Sequence, residues 1–146
     1  MRSLRAWRRA EEGAELIEFM IVFPILMLIL AGIMDFGMLL RNYEVVTNAA
    51  REGARVAVLD GYATSDVETR IDEYLAAAGI SGAHTVAVDT VPVTTSAGTF
   101  TARSVTLNYT YQFTVLSGFA PFFGGSFTTL PLQAVSVMRT ETQAAP

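Results

Sequence analysis

Glu18 is the residue whose surroundings are hardest to account for. It stands at the head of an apolar run from Leu16 to Leu40 that carries no charge between Phe19 and Met34. A carboxylate at the edge of a membrane helix costs about one to three kcal/mol, depending on depth, unless it finds a partner or reaches water. The chemistry open to it is pairing with a cation or snorkelling to the interface. Elsewhere reactive groups are scarce. His84 is the single histidine; with no G-x-S-x-G sequence in the chain and a β-like run after it, it reads as a surface or strand-edge residue. Zero cysteines exclude disulfides, thiolate metal sites and cysteine catalysis. Asp66, Glu68, Asp72 and Glu73 lack the ordered ligand spacing of a calcium loop and read as a solvated helix face. Nucleophile, base and metal ligands do not converge, so the sequence gives no ground for an enzyme, a cofactor, a metal or a small-molecule substrate.

The elements that must carry Glu18 follow from patterning. The chain of 146 residues has room for one modest globular domain and one membrane segment. Its basic residues are all arginines, and Arg2, Arg5, Arg8 and Arg9 crowd the start of an otherwise acidic chain of net charge −4. That distribution fits membrane topology and argues against a nucleic-acid partner. By the positive-inside rule it places the N-terminus in the cytoplasm and the rest of the chain outside it. The sequence therefore divides into a leader over 1–13, a transmembrane helical half over 14–40 and an extracytoplasmic domain over 41–146. A secretory signal peptide fits less well, because the apolar run is too long for an h-region and no clean small-x-small site follows it.

From Arg41 to Leu59 the pattern is amphipathic at helical spacing. Val46, Ala49, Ala50, Gly53 and Ala57 lie on one stripe, opposite Glu44, Asn48, Arg51, Glu52 and Arg55. The simplest reading is one helix from about Ala14 to Leu59, on the order of 70 Å long. A second helix opens with Ser65 as N-cap and Glu68 three residues on, buries Val67, Ile71, Tyr74, Leu75 and Ala78, and stops at Gly79. The period then changes to two. Thr85–Val93 and Leu130–Thr140 flank the clearest strand, in which Val105, Leu107, Tyr109, Tyr111, Phe113 and Val115 alternate with polar residues. Pro131 is confined to a strand start or an edge. The expected fold is α+β: a long N-terminal helix, a short second helix and a three-stranded antiparallel sheet.

Three features have two or more readings. Ala49 and Gly53, four residues apart, suit close packing, either on the protein's own sheet or on another helix. Phe119, Phe122, Phe123 and Phe127 crowd a glycine-rich loop that could dock another subunit, touch the membrane or plug the end of the sheet. Asp35, at the outer end of the span, either pairs with a neighbour or marks the interface, and the interface is the favoured reading.

Gly13-Ala14-Glu15-Leu16-Ile17-Glu18-Phe19, opening an apolar helix after a basic leader, resembles the prepilin peptidase site. With Pro24, Asp35-Phe36-Gly37 and Asn48-Ala49-Ala50-Arg51-Glu52-Gly53-Ala54-Arg55, it is similar to the TadE-like family of pilin-related proteins of tight-adherence (Tad, Flp) pili. The resemblance implies cleavage between Gly13 and Ala14, with Glu18 and Phe19 serving peptidase recognition and subunit registry. It implies a minor pilin or pseudopilin in the bacterial inner membrane. The partners it implies are the prepilin peptidase, other pilin subunits, the Tad assembly platform and membrane lipid. An uncleaved signal-anchored binding protein and a type II secretion pseudopilin are the alternatives.

Overall fold

A computed structural model of the chain describes residues 2–96, 98–123 and 128–140, and the side chains of 13–96, 98–121 and 128–140. Helix α1 runs over Arg2–Ala57 and α2 over Thr64–Ala77. Strand β1 covers His84–Thr95, β2 covers Gly98–Gln112 and β3 covers Thr129–Arg139. Between β2 and β3 a 3-10 turn, Leu116–Phe119, leads into a four-residue helix, α3, Ala120–Phe123. The three strands form one antiparallel sheet in the order β1-β2-β3. This is the α+β architecture read from the sequence.

The chain divides into two compact units, Met1–Gly37 with Thr114–Thr128, and Met38–Phe113 with Thr129–Pro146. In the second unit the small-residue stripe of α1 is the floor of the core. Val46, Ala49, Ala50, Ala54 and Ala57 are buried with Val67, Ile71 and Leu75 of α2 and with Val105, Leu107, Tyr109 and Tyr111 of β2. Small side chains on α1 let its backbone approach its neighbours closely. A Cβ built on Gly53 would lie 2.7 Å from Ile71 Cδ1 and 3.3 Å from Val67 Cγ1. Arg41 donates to the Ala78 carbonyl at 2.7 Å, satisfying an acceptor at the α2 C-terminus and placing a cation at its negative pole.

Several boundaries differ from the sequence reading. Helix α1 starts at Arg2, not near Ala14, because the leader is rich in Leu, Ala, Arg and Glu and holds no breaker before Gly13. It ends at Ala57, ahead of a turn in which the Leu59 amide donates to the Val56 carbonyl and Gly61 takes a positive φ of 87°. Helix α2 starts two residues early, with Ala63 rather than Ser65 as the N-cap. Asp66 makes this work, since its Oδ2 accepts the Ala63 amide at 2.8 Å, whereas Glu68 sits beyond reach of that role. Gly79, at φ +71°, supplies the expected stop.

The sheet keeps the expected inward face of β2. Both outer strands contain a proline, Pro92 in β1 and Pro131 in β3, while the central strand has none. Strand β2 stops at Gln112, short of Val115, and the 3-10 turn with α3 that follows has no counterpart in the sequence reading. The reason for the early stop lies with Asp35.

Candidate functional site

Gly13–Phe19 is continuous helix, so the Gly13–Ala14 peptide bond lies within α1. Gly13 is half-buried and residues 14–19 are exposed. A Cβ on Gly13 would meet nothing within 4 Å, so nothing in the fold itself calls for glycine there. Glu18 is exposed, and Phe19, 58% exposed, rests its ring 5.3 Å from that of Phe23 one turn later. Ile17, Met20, Ile21, Ile25 and Leu26 are likewise more than half exposed. A soluble protein does not leave such a run uncovered. Among the described residues this is the one helix long and apolar enough to cross a membrane, with a mean hydropathy of 2.6 over its most apolar stretch. That helix makes this a membrane-anchored chain.

Asp35 overturns its reading as an interface marker. It is fully buried, at 0% exposure, and holds a cradle of successive backbone amides. Thr114 N–H donates to Oδ1 at 3.2 Å. Val115 N–H reaches both oxygens, at 3.2 and 3.0 Å, and Leu116 N–H donates to Oδ2 at 2.6 Å. These amides belong to the start of the 3-10 turn, whose N-cap, Val115, has no acceptor side chain of its own. Asp35 provides that acceptor from elsewhere in the chain, and a carboxylate is the stronger partner for free amides at a helix start. This is why β2 ends where it does: the amides that would extend the ladder are turned to the carboxylate. Ala31, one turn before Asp35, is also buried, whereas Ile33, Met34 and Phe36 remain exposed.

The remaining charged groups form a surface network. Glu52 accepts from Arg55 at 2.9 Å and from Arg70 at 3.0 Å, linking α1 to α2, and Arg70 also reaches Glu73. The hydrogen bonds from Arg55, then those from Arg70, hold the Glu52 carboxyl below its ordinary range. His84 Nε2 lies 2.7 Å from Asp72 Oδ1 at the start of β1, the strand-edge position expected of it. Asp66, Asp72 and Glu73 thus have separate partners, and among the described residues no group of carboxylates or histidines is arranged to hold a metal.

Of the residues singled out from sequence, Gly13, Ala14, Glu18 and Phe19 lie together on α1, Gly13 half-buried and the other three exposed. Ala49 and Gly53 are buried within the chain, Gly53 against Val67 and Ile71 of α2. Phe119 is half-buried in the 3-10 turn, while the side chains of Phe122 and Phe123, and all of Phe127, lie outside the described residues. Asp35 is the residue the sequence reading undervalued. Its signal was a carboxylate at the end of an apolar run, with the first arginine beyond it six residues away.

Residues 13–55 match the family model described as TadE-like protein. No curated protein and no solved structure is significantly similar to the chain. The matched segment opens at Gly13, includes Glu18, Phe19 and Asp35, and closes at the Arg55 that pairs with Glu52.

Proposed function

From the premise that residues 13–55 are TadE-like, we propose that this protein is a minor pilin or pseudopilin of a Tad-type pilus, processed by a prepilin peptidase. The observation that carries the proposal is the exposed Glu18-Phe19 pair, five and six residues past Gly13, at the head of the apolar part of α1. Hydrolysis between Gly13 and Ala14 adds water across that bond, leaving a carboxylate on Gly13 and a free α-amine on Ala14. The amine is then a cation at the edge of the bilayer. A carboxylate four residues further along a neighbouring copy's helix is its natural partner, and in that setting each charge relieves the cost of the other. Glu18 therefore sets the axial register of packed helices. Phe19 and the exposed aliphatic residues after it supply the apolar contact. The arginine-rich leader keeps the cleavage site on the cytoplasmic side, and assembly draws on other pilin subunits and an inner-membrane platform. The role is structural, as suits a pilin-related family.

The test is the intact mass and N-terminal sequence of the protein from native membranes, with and without the peptidase. A chain beginning at Ala14 only when the peptidase is present supports the proposal. Retention of residues 1–13 in both conditions replaces it with an uncleaved, signal-anchored binding protein. Co-purification with type II secretion components instead of Tad components would move the same processed subunit to that system.

A further inference from the structure

The amide cradle of Asp35 also determines where a distant stretch of chain meets the lipid. Seventeen residues separate Glu18 from Asp35, and a helix rising 1.5 Å per residue covers roughly 25 Å over that interval. The hydrocarbon core of a bilayer is roughly 30 Å thick. With Glu18 near one boundary, Asp35 stands close to the other, on its inner side. Arg41, the next charged residue, is about 9 Å further along the axis. A carboxylate at the depth of Asp35 requires polar partners that come to it, and the amides of residues 114–116 are among those it has. Those residues must reach the same depth.

Their chemistry suits that position. The sequence from Ser104 to Met138 contains no charged residue and no histidine. Val115, Leu116 and Phe119 are apolar and half-buried, and Pro121 is exposed. The turn satisfies much of its own polarity: Ser117 Oγ donates to the Thr114 carbonyl at 2.9 Å, and Gly118 N–H to the Val115 carbonyl at 3.1 Å. A backbone so satisfied is one that lipid tolerates, where an open loop is not.

We propose that residues 114–123 form an interfacial membrane element, seated by Asp35 and inserted among the phospholipids of the outer leaflet, so that the chain meets the bilayer at two places. The proposal rests on α1 as a membrane anchor and is independent of processing or of any pilus. It commits to lipid as the occupant; a second protein on the same surface is an outcome the test separates.

The experiment places single tryptophans in the full chain carrying Trp7→Phe, reconstituted in phosphatidylcholine–phosphatidylglycerol vesicles. Quenching by phosphatidylcholines brominated near the head or the tail of the acyl chain reads depth. Phe119→Trp, and independently Pro121→Trp in case the first disturbs packing, should lose at least half their emission to the shallow bromolipid. Phe23→Trp should be quenched by the deep one, and Phe100→Trp, in the β1–β2 hairpin, by neither. Adding Asp35→Ala should reduce quenching at residue 119 at least twofold, and undiminished quenching there would overturn the seating role of Asp35. Tryptophans at 119 and 121 as unquenched as the one at 100, beside a quenched one at 23, would overturn the proposal and leave the element covered by protein or water. An unquenched tryptophan at 23 would remove the anchor reading and the proposal together.

Discussion

Replacing Asp35 with alanine tests the structural reasoning most directly. The side chain has 0% exposure and three amide donors point at it, those of Thr114, Val115 and Leu116. Hydrogen bonds to a charged acceptor are worth about 1.5–3 kcal/mol each, and a buried amide left without a partner costs about 1–3 kcal/mol. Three such amides set an upper range well above 5 kcal/mol. The turn can open and let them find water or lipid headgroups, so the observable cost is that of local opening, about 3 kcal/mol, the top of the range for a single such amide. At 1.4 kcal/mol per factor of ten, exchange of the Leu116 and Gly118 amides should quicken roughly 100-fold in Asp35→Ala. Asp35→Asn keeps one acceptor oxygen and loses the charge, and should give about tenfold. The assay is amide hydrogen exchange on the detergent-solubilised full chain. Amides of β2 such as Leu107, whose partners lie in β1 and β3, serve as the internal reference and should keep their rates. Less than a threefold change at residues 114–118, with β2 unchanged, would refute the cradle as the fastening of this turn.

Other expectations concern the proposed function and the core. Glu18→Ala should still be cleaved, yet lower surface pilus output at least tenfold; normal output would sink its registry role. Gly13→Val should accumulate as an unprocessed chain on mass analysis without loss of fold, since a Cβ at Gly13 meets nothing within 4 Å. Gly53→Val should destabilise the α1–α2 packing by about 2 kcal/mol, because its Cβ would fall 2.7 Å from Ile71 Cδ1 and 2.9 Å from Cγ1 in a closed core; denaturant midpoints check this. Glu52 has a folded pKa below the ordinary 4.5. Its contribution is therefore complete above the unfolded pKa and is lost as pH falls through the lower folded value. Glu52→Gln should flatten the acid limb of the stability profile, and an unchanged limb counts against the pairing with Arg55 and Arg70.

The sequence was most informative where a single periodicity decided the outcome. The stripe of Val46, Ala49, Ala50, Gly53 and Ala57 lines the core, and Val67, Ile71 and Leu75 bury as a helical period of 3.6 requires. Val105 to Tyr111 alternate inward as a period of two requires, with Pro131 on an outer strand. The reading failed where the deciding partner was remote. The alternation that reached Val115 carried no sign that its last amides would be claimed by a carboxylate some eighty residues earlier. Local capping was misplaced for a smaller reason of the same kind: Ser65 is the better N-cap by type, but Asp66 reaching back to the Ala63 amide moved the start of α2. In α1, Gly13, Ala14, Glu18 and Phe19 stand within one short stretch of sequence, and their roles in processing and registry rest with the proposal.

The two prolines of the outer strands bear on crowding. A subunit that gathers with many copies in a membrane brings the margins of many small sheets together, and an open margin is a template on which another strand can add. Pro92 on one side and Pro131 on the other have no N–H to give. Neither margin can propagate an unbroken ladder from copy to copy. Association by strand exchange is thereby disfavoured on both flanks, and the proposed assembly is left the long helix as the surface for ordered packing.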